Sequence, residues 1–335
     1  MNTTTTTFFR AATALIVSVL ISACGGGGDS QSQDDSNPGA GVPTTPAPSV
    51  PAGSPVVYAP GSSAAMALDM VNSAIARCGY NRMNPVLDLT TAAKAHANYE
   101  ALNGYAIDHT EIPGRPGFTG VSHAERIVAA GGAAERANNA SEGIGGFGGA
   151  HGRATTGLLA APYHLVTLLG GWSELGVGTT PDPSSAAFPA GVFSDTLVLV
   201  YGGNRLNTVP TNEVRTFPCD GSTLISSQGG PEKPDPAPEL GGKFGPGLNF
   251  ETNKDGAIEV TSISLRNLAN GNVIPLQPVK GHSLEGVEWR SVWISKGYLS
   301  PKTTYRVEAR GNTYATKNMT GSATAWSKSF SFTTF

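Results

Sequence analysis

Two segments rich in glycine and proline divide this chain and limit the length of any folded unit. The first covers 25–57, where glycine, serine, proline and acidic residues dominate without apolar periodicity. The second covers 220–242 and contains four prolines between positions 231 and 238. Such composition is typical of flexible or extended connections rather than of packed elements. The predicted organisation is a disordered tether at 24–57, a folded domain at 58–225, a Pro-rich linker at 226–242 and a second folded domain at 243–335.

The composition of the 335 residues excludes several classes of protein. Charged residues make up 14% of the chain, hydrophobic residues make up 39%, and the formal net charge is −3. No excess of cations is present to displace counterions from phosphate groups, so we expect no nucleic-acid partner. The low charge and the apolar content also argue against wholesale disorder. The two segments between the Gly/Pro-rich stretches are therefore expected to fold.

The first 24 residues have the pattern of an export signal. Arg10 precedes an apolar run at 11–23, which is too short to span a bilayer but suits a signal-peptide core. The run ends in Leu-Ile-Ser-Ala-Cys at 20–24, which resembles a bacterial lipobox. This resemblance implies a lipoprotein signal peptide at 1–23 and an acyl anchor on Cys24, which makes the membrane a partner. The alternative is an ordinary secretory leader in which Cys24 has no role.

Residue 25 and the two remaining cysteines extend the prediction of export. Gly25 follows Cys24. By resemblance to Gram-negative lipoproteins, a glycine there implies anchoring in the outer membrane, with the folded part on the periplasmic or cell-surface side. In an oxidising compartment we expect a disulfide between Cys78 and Cys219. The alternative is a pair of free buried thiols.

Apolar periodicity predicts helices and strands in the first domain and strands alone in the second. Helical spacing is found at 64–78, at 90–104, at 123–130 and at 153–169, where Pro162 interrupts the last helix. Strand patterns at 176–178 and 196–201 then make the fold class α+β. Short alternating runs in 243–335 predict an all-β sandwich. Its stretch 326–334 resembles the last strand of bacterial immunoglobulin-like or fibronectin-like domains.

The first domain also carries short motifs in a particular order. They are Ala93 with His96 on one helix, Asp108-His109-Thr110, Ser141-Glu142-Gly143-Ile144, Ala161-Pro162-Tyr163-His164, Leu175-Gly176-Val177-Gly178 and the strand at 198–201. In order and spacing they resemble the bacterial branch of the CAP superfamily, the SCP-like extracellular proteins related to cysteine-rich secretory, antigen 5 and pathogenesis-related proteins. The resemblance covers about 58–225 and implies a CAP-type α-β-α sandwich.

The same resemblance implies a cleft in which His109, Glu142 and His164 meet. Together they would hold zinc or another divalent cation, or Glu142 would act as the catalytic carboxylate in acid–base work with the histidines. The alternative is a buried hydrogen-bonded network that stabilises the sandwich. The chain departs from the family pattern where Gly143 replaces an asparagine, where Leu165 replaces an arginine, and at 158–163, which lacks an acidic residue that animal and plant members carry.

Three functions fit these features. The first, which we take as the primary interpretation, is a binding module that holds a lipid, sterol-like or cell-envelope ligand. The second is a metal-dependent hydrolase in which His109 and His164 hold the metal ion and Glu142 is a ligand or base. The third is a structural envelope or adhesion protein. Resemblance to a fold does not establish a reaction, so the hydrolase is the weaker expectation.

Overall fold

The structure, a computed structural model, describes residues 53–104, 108–146, 151–180, 196–204, 209–281, 284 and 286–335. Within Ser49–Phe335, which forms one compact unit, the described chain begins at residue 53, and Met1–Pro48 lies outside the described residues. The predicted signal peptide at 1–23, Cys24 and the tether up to residue 52 lie outside them as well. In the ranges given above, no helix is long and apolar enough to cross a membrane.

The described chain alternates helices and strands first and then continues as strands. The helices are α1 (Ser63–Arg77), α2 (Leu87–Leu102), α3 (His123–Ala129), α4 (Ala134–Asn138), α5 (His151–Ala160) and α6 (Pro162–Leu168), with a short 3₁₀ turn at Pro238–Leu240. The first strands are β1 (Asn84–Pro85), β2 (Ser141–Gly146), β3 (Glu174–Thr179), β4 (Thr196–Gly202), β5 (Arg215–Phe217) and β6 (Ser222–Ile225). They are followed by β7 (Leu248–Glu251), β8 (Ala257–Asn267), β9 (Val273–Ile274), β10 (Leu276–Pro278), β11 (Arg290–Ser295), β12 (Thr304–Tyr314) and β13 (Thr324–Thr334).

The first sheet has the strand order β1-β3-β4-β2 and is covered by helices on both faces. Along β4, Leu197, Leu199 and Tyr201 pack into the cluster that contains α1 and α5. The intervening Val198 and Val200 pack into the cluster that contains α2. A strand covered on both faces is apolar at every position, which explains the continuous apolar run at 196–201. The structure therefore confirms the α+β class, with an α-β-α arrangement in this part of the chain.

Helix α2 lies unusually close to β3, and two glycines make this approach possible. A Cβ atom on Gly176 would lie 2.0 Å from the carbonyl carbon of Leu89, and one on Gly178 would lie 2.1 Å from the carbonyl oxygen of Ala93. Any side chain at these positions would push the helix away from the sheet. The Gly-Val-Gly motif is thus a packing requirement of the sandwich.

The second half of the chain forms two sheets that pack against each other. One sheet has the order β10-β11-β7-β5 and the other has the order β6-β13-β12-β8-β9. Phe250 of β7 connects them, because its ring centroid lies 5.7 Å from that of Trp326 and 6.3 Å from that of Phe330, both on β13. This arrangement confirms the predicted all-β sandwich.

Strands β5 and β6 come from the segment assigned to the first domain but pair with strands of the β-sandwich. Thr216 of β5 lies opposite Phe250 of β7, and Ser222 of β6 lies opposite Phe332 of β13. A single hydrophobic cluster extends from the first sheet to the sandwich. The domain boundaries at 225 and 243 stay predictions, but the hydrophobic core is continuous across them.

The predicted disulfide is present between Cys78 and Cys219. Cys78 is the residue that follows α1, and Cys219 lies in the turn between β5 and β6, so the bond joins the helical layer to the strands that enter the β-sandwich. The two residues are 141 positions apart in sequence. Closing a loop of this length restricts the unfolded chain and stabilises the fold by about 4–5 kcal/mol in the chain-entropy treatment.

Candidate functional site

His109 and Glu142, which the family resemblance would bring into one cleft, are in direct contact. His109 lies in the connection between α2 and α3, and Glu142 lies on β2. The Nδ1 atom of His109 is 3.1 Å from Oε1 of Glu142. The His109 side chain is 46% exposed, whereas that of Glu142 is 1% exposed. The buried carboxylate therefore holds the imidazole in place, and the imidazole is the exposed member of the pair.

Arg126 of α3 is a buried partner of Glu142 that the sequence analysis missed. Its Nη2 atom donates to Oε1 at 2.9 Å and to Oε2 at 2.8 Å, and also to the carbonyl oxygen of His109 at 3.1 Å. Its Nη1 atom donates to the carbonyl oxygens of Gly120 and Val121. The guanidinium thus connects the carboxylate to the backbone that carries His109. Its place in a short amphipathic helix resembles that of any surface arginine, so the sequence alone contains no signal for it.

The buried Glu142 carboxylate is ionised at neutral pH. Burial by itself raises the pKa of a carboxylic acid, but here the hydrogen bond with His109 and the charge of Arg126 outweigh it and lower the pKa of Glu142 to about 2. An ionised carboxylate only accepts hydrogen bonds, so Nδ1 of His109 carries the proton of their contact. The other ring nitrogen, Nε2, is then the one that can meet a ligand.

A second buried pair holds the connection on which His109 lies. The Nδ1 atom of His96 is 3.0 Å from Oε1 of Glu111, and its Nε2 atom is 2.8 Å from the carbonyl oxygen of Asp108. Oε2 of Glu111 accepts from the amide of Thr119 at 2.6 Å. Both side chains are fully buried. His96, which belongs to the motif series, therefore positions the neighbouring backbone instead of facing the cleft.

His164 lies in the first turn of α6 and faces His109. The ring centroids are 5.9 Å apart and the ring planes are inclined by 23°. The Nδ1 atom of His164 is 2.7 Å from Oε1 of Glu232, whose side chain is fully buried. No sequence pattern indicates Glu232, because it lies in the predicted Pro-rich linker, 68 positions after His164. The three predicted side chains thus lie in one region, but His164 pairs with Glu232 and not with Glu142.

Gly143, where the family pattern has asparagine, lies against Tyr201 of β4. A Cβ atom at position 143 would lie 2.5 Å from the Tyr201 hydroxyl oxygen. This hydroxyl is fully buried, and among the described residues it has no hydrogen-bond partner. Burial, and to a lesser degree the charge of Glu142, raise the pKa of Tyr201 well above its ordinary value. The large side chain on β4 and the glycine on β2 are therefore a matched pair.

The two imidazoles lie in the wall of a cleft with a volume of about 570 Å³. Its apolar wall is formed by Ile144, Leu158, Ala161 and Phe335. Residues 226–233, which we call the lining segment, also line the cleft. This segment ends in Lys233, an exposed cation. The cleft therefore combines an apolar surface with two imidazoles and one ammonium group, which is the usual composition of a small-molecule site.

The donor set does not fit a zinc ion held by His109, Glu142 and His164. Both oxygens of Glu142 accept hydrogen bonds from a cationic guanidinium, and Oε1 also contacts His109. Within the part of the chain that the structure describes, no group of three or more His, Cys, Asp or Glu side chains is arranged to hold a metal ion. A carboxylate with a pKa of about 2 is also a weak base near neutral pH. We derive no metal-dependent or Glu142-catalysed step from this geometry.

Comparisons with known proteins give limited information about this chain. No family model matches it, and no curated protein matches it. One solved structure that it resembles is an extracellular protein containing an SCP domain from Bacillus anthracis strain Ames, with 17% identity and a TM-score of 0.33. The alignment covers 42% of this chain and 40% of that protein, so the chain spans less than half the length of the structure it matches. At this TM-score the likeness supports no argument about function.

Proposed function

We propose that this protein is an exported envelope lipoprotein whose CAP-like domain binds a lipid-like ligand in the cleft between α5, α6 and the lining segment. The observation that carries the proposal is the cleft itself. Its volume of about 570 Å³ is lined by apolar side chains together with His109, His164 and Lys233. An apolar ligand with a small polar or acidic head matches this distribution.

The polar groups of the cleft favour a head group that exchanges hydrogen bonds with imidazole. Nδ1 of each histidine faces a carboxylate, so Nε2 is the nitrogen left to contact a ligand. A neutral imidazole accepts a hydrogen bond from a hydroxyl group through this atom. Lys233 adds a positive charge that attracts a carboxylate head. Fatty acids and hydroxylated sterols therefore represent the two ligand classes to test first.

The ligand proposal predicts saturable binding that depends on the cleft. A fluorescent fatty acid and a fluorescent sterol are titrated with the full mature chain, and affinity is measured from the fluorescence change. Ser227→Trp places a large side chain in the lining segment and is expected to weaken binding at least about tenfold, since it removes ligand volume. His109→Ala and His164→Ala are expected to weaken binding of whichever probe donates to imidazole.

The matched control is Ser262→Trp, which adds the same side chain at an exposed position on β8. This variant is expected to bind like the wild type. Equal affinity of the wild type and Ser227→Trp for both probes, or the same loss in Ser262→Trp, would contradict binding in the cleft. Absence of binding in the wild type would leave the structural envelope protein as the better interpretation.

The proposed location outside the cytoplasm is supported by the lipobox-like segment that ends at Cys24 and by the disulfide between Cys78 and Cys219. Cys24→Ala removes the thiol that would carry the acyl chains, so we expect the variant to leave the membrane fraction. Fractionation of expressing cells measures this, and retention in the membrane fraction would contradict the anchor.

A further inference from the structure

Glu232 is a fully buried acid in a segment whose composition predicts only a linker. Its side chain is not exposed at all, and it accepts hydrogen bonds at the start of α6. Oε2 accepts from the amide of Tyr163 at 3.1 Å, and Oε1 accepts from the amide of His164 at 2.8 Å. Such burial requires that the carboxylate be paired. Glu232 therefore belongs to the helix end, although it is distant in sequence.

The start of α6 explains why an external carboxylate lies there. Ala161, the residue before the helix, has no side-chain acceptor, and Pro162 has no amide hydrogen. The first amides that need acceptors are those of Tyr163 and His164. A helix usually satisfies them with its own N-cap side chain, whereas here Glu232 does so from another segment. The lining segment therefore supplies the N-terminal cap of α6.

The third contact of Glu232 is with the imidazole of His164. Oε1, which already accepts from the His164 amide, lies 2.7 Å from Nδ1 of the same residue. The oxygen is an acceptor for both groups, so Nδ1 carries the hydrogen and Nε2 is unprotonated in the neutral ring. Glu142 acts on His109 in the same way. Two stacked imidazoles are thus each oriented by a carboxylate, and the two carboxylates come from different parts of the fold.

The lining segment is itself held against the β-sandwich side of the molecule. The amide of Gly229 donates to the carbonyl oxygen of Phe244 at 2.9 Å. A Cβ atom on Gly229 would lie 2.2 Å from the carbonyl oxygen of Gly245, so the two backbones touch. Because this contact leaves no room for a side chain, the position of the segment is well determined. Glu232 is therefore presented to α6 by the rest of the fold.

We propose that Glu232 is a positioning residue of the cleft, which sets the tautomer and ring orientation of His164. The effect on ligand affinity rests on the proposed function, whereas the effect on the tautomer does not.

The proposal is tested by nitrogen-15 NMR of histidine-labelled full mature chain, at a pH where the rings are neutral. In the wild type we expect the hydrogen of His164 on Nδ1. Glu232→Gln keeps the side-chain length and one oxygen that can accept from one of the two amides, while its NH2 group replaces the other acceptor oxygen. We expect this variant to shift His164 toward a mixture of tautomers and to lower affinity for the fluorescent fatty acid or sterol about tenfold.

Tyr163→Phe is the matched control. Its hydroxyl donates to the carbonyl oxygen of Lys280 at 2.8 Å, so this variant loosens the same helix without altering Glu232. It is expected to leave the His164 tautomer unchanged. A wild-type His164 with its hydrogen on Nε2, an unchanged tautomer in Glu232→Gln, or an equal shift in Tyr163→Phe would overturn the proposal. A tautomer shift in Glu232→Gln without probe binding by the wild type would uphold the positioning role and reject the ligand class.

Discussion

At the scale of single residues, the site depends on buried charges that compensate one another. Glu142 is acceptable in the interior because Arg126 and His109 contact it on both sides. The same contacts keep it ionised, which keeps the hydrogen of His109 on Nδ1. A buried carboxylate without its guanidinium would be strongly destabilising. The orientation of the exposed His109 imidazole therefore depends on the buried ion pair between Glu142 and Arg126.

Glu142 predicts a particular loss of stability in acid. Its pKa is lowered from the ordinary value of 4.5 to about 2, so the ionised form stabilises the fold above pH 4.5. This contribution, about 3 kcal/mol, is lost as the pH falls through 2. Urea unfolding at pH 6 and pH 3 is expected to show a steeper loss of unfolding free energy in the wild type than in Glu142→Gln, although the variant is less stable at pH 6. The same pH dependence in both proteins would contradict the lowered pKa.

At the scale of elements, the closest packing in the first sheet is that of α2 on β3. The contact is between backbones, with no side chain to adjust, because positions 176 and 178 are glycines. Helix α2 carries His96, which holds the backbone next to His109. The distance between α2 and β3 therefore affects the position of His96 and of the backbone next to His109. Helix α6 differs, because its position depends on contacts with segments much later in the chain.

Gly176→Ala is expected to destabilise the protein by about 3 kcal/mol or more, since its Cβ atom would overlap the backbone of Leu89. The matched control is Gly202→Ala on β4, whose Cβ atom would meet only the end of the Leu89 side chain at 3.0 Å. A flexible side chain can move by a few tenths of an ångström, so the control is expected to lose less than about 1 kcal/mol. Urea unfolding monitored by circular dichroism measures both. Equal losses would show that the backbone contact is not limiting.

At the scale of the whole molecule, the buried Arg290 side chain of the β-sandwich contacts helix α6 of the helical sandwich. Nε of Arg290 on β11 is 2.8 Å from Oε2 of Glu251 on β7. The same guanidinium donates to the carbonyl oxygens of Val166 and Leu169 at the end of α6. Helix α6 is therefore held at its start by Glu232 and at its end by Arg290. Both residues that hold α6, the helix that carries His164, therefore lie later in the chain than the helix itself.

This continuity predicts that the two sandwiches unfold together. Trp172→Phe leaves the remaining tryptophans, Trp289, Trp293 and Trp326, in the second half, so fluorescence reports on that half and the helical circular dichroism reports on the first. With the disulfide intact, urea is expected to give coincident transitions. Arg290→Met is expected to lower both midpoints, corresponding to about 3–5 kcal/mol. Two separate transitions in the wild type would indicate independent domains.

Local patterns in the sequence predict the helices and strands and much of the layering. Periodicity located α1, α2 and α3 within a few residues, and the apolar run of β4 indicated a strand covered on both faces. The alternating runs after residue 243 indicated the β-sandwich, and export indicated the disulfide. These features depend on local spacing or on the chemistry of one residue type, and both can be read along the chain.

Which side chains support the two histidines depends on contacts that form only in the folded chain. Glu232 lies among prolines and Arg126 lies on a short helix, so neither has a local pattern that separates it from a solvated surface residue. Their roles come from contacts 68 and 16 positions away in sequence, which only the folded backbone brings within hydrogen-bond distance. Hydrogen bonds form according to distance in space, whereas composition and periodicity record only neighbours along the chain. The histidines could therefore be found from the sequence, but the carboxylate of His164 and the cation of Glu142 could not.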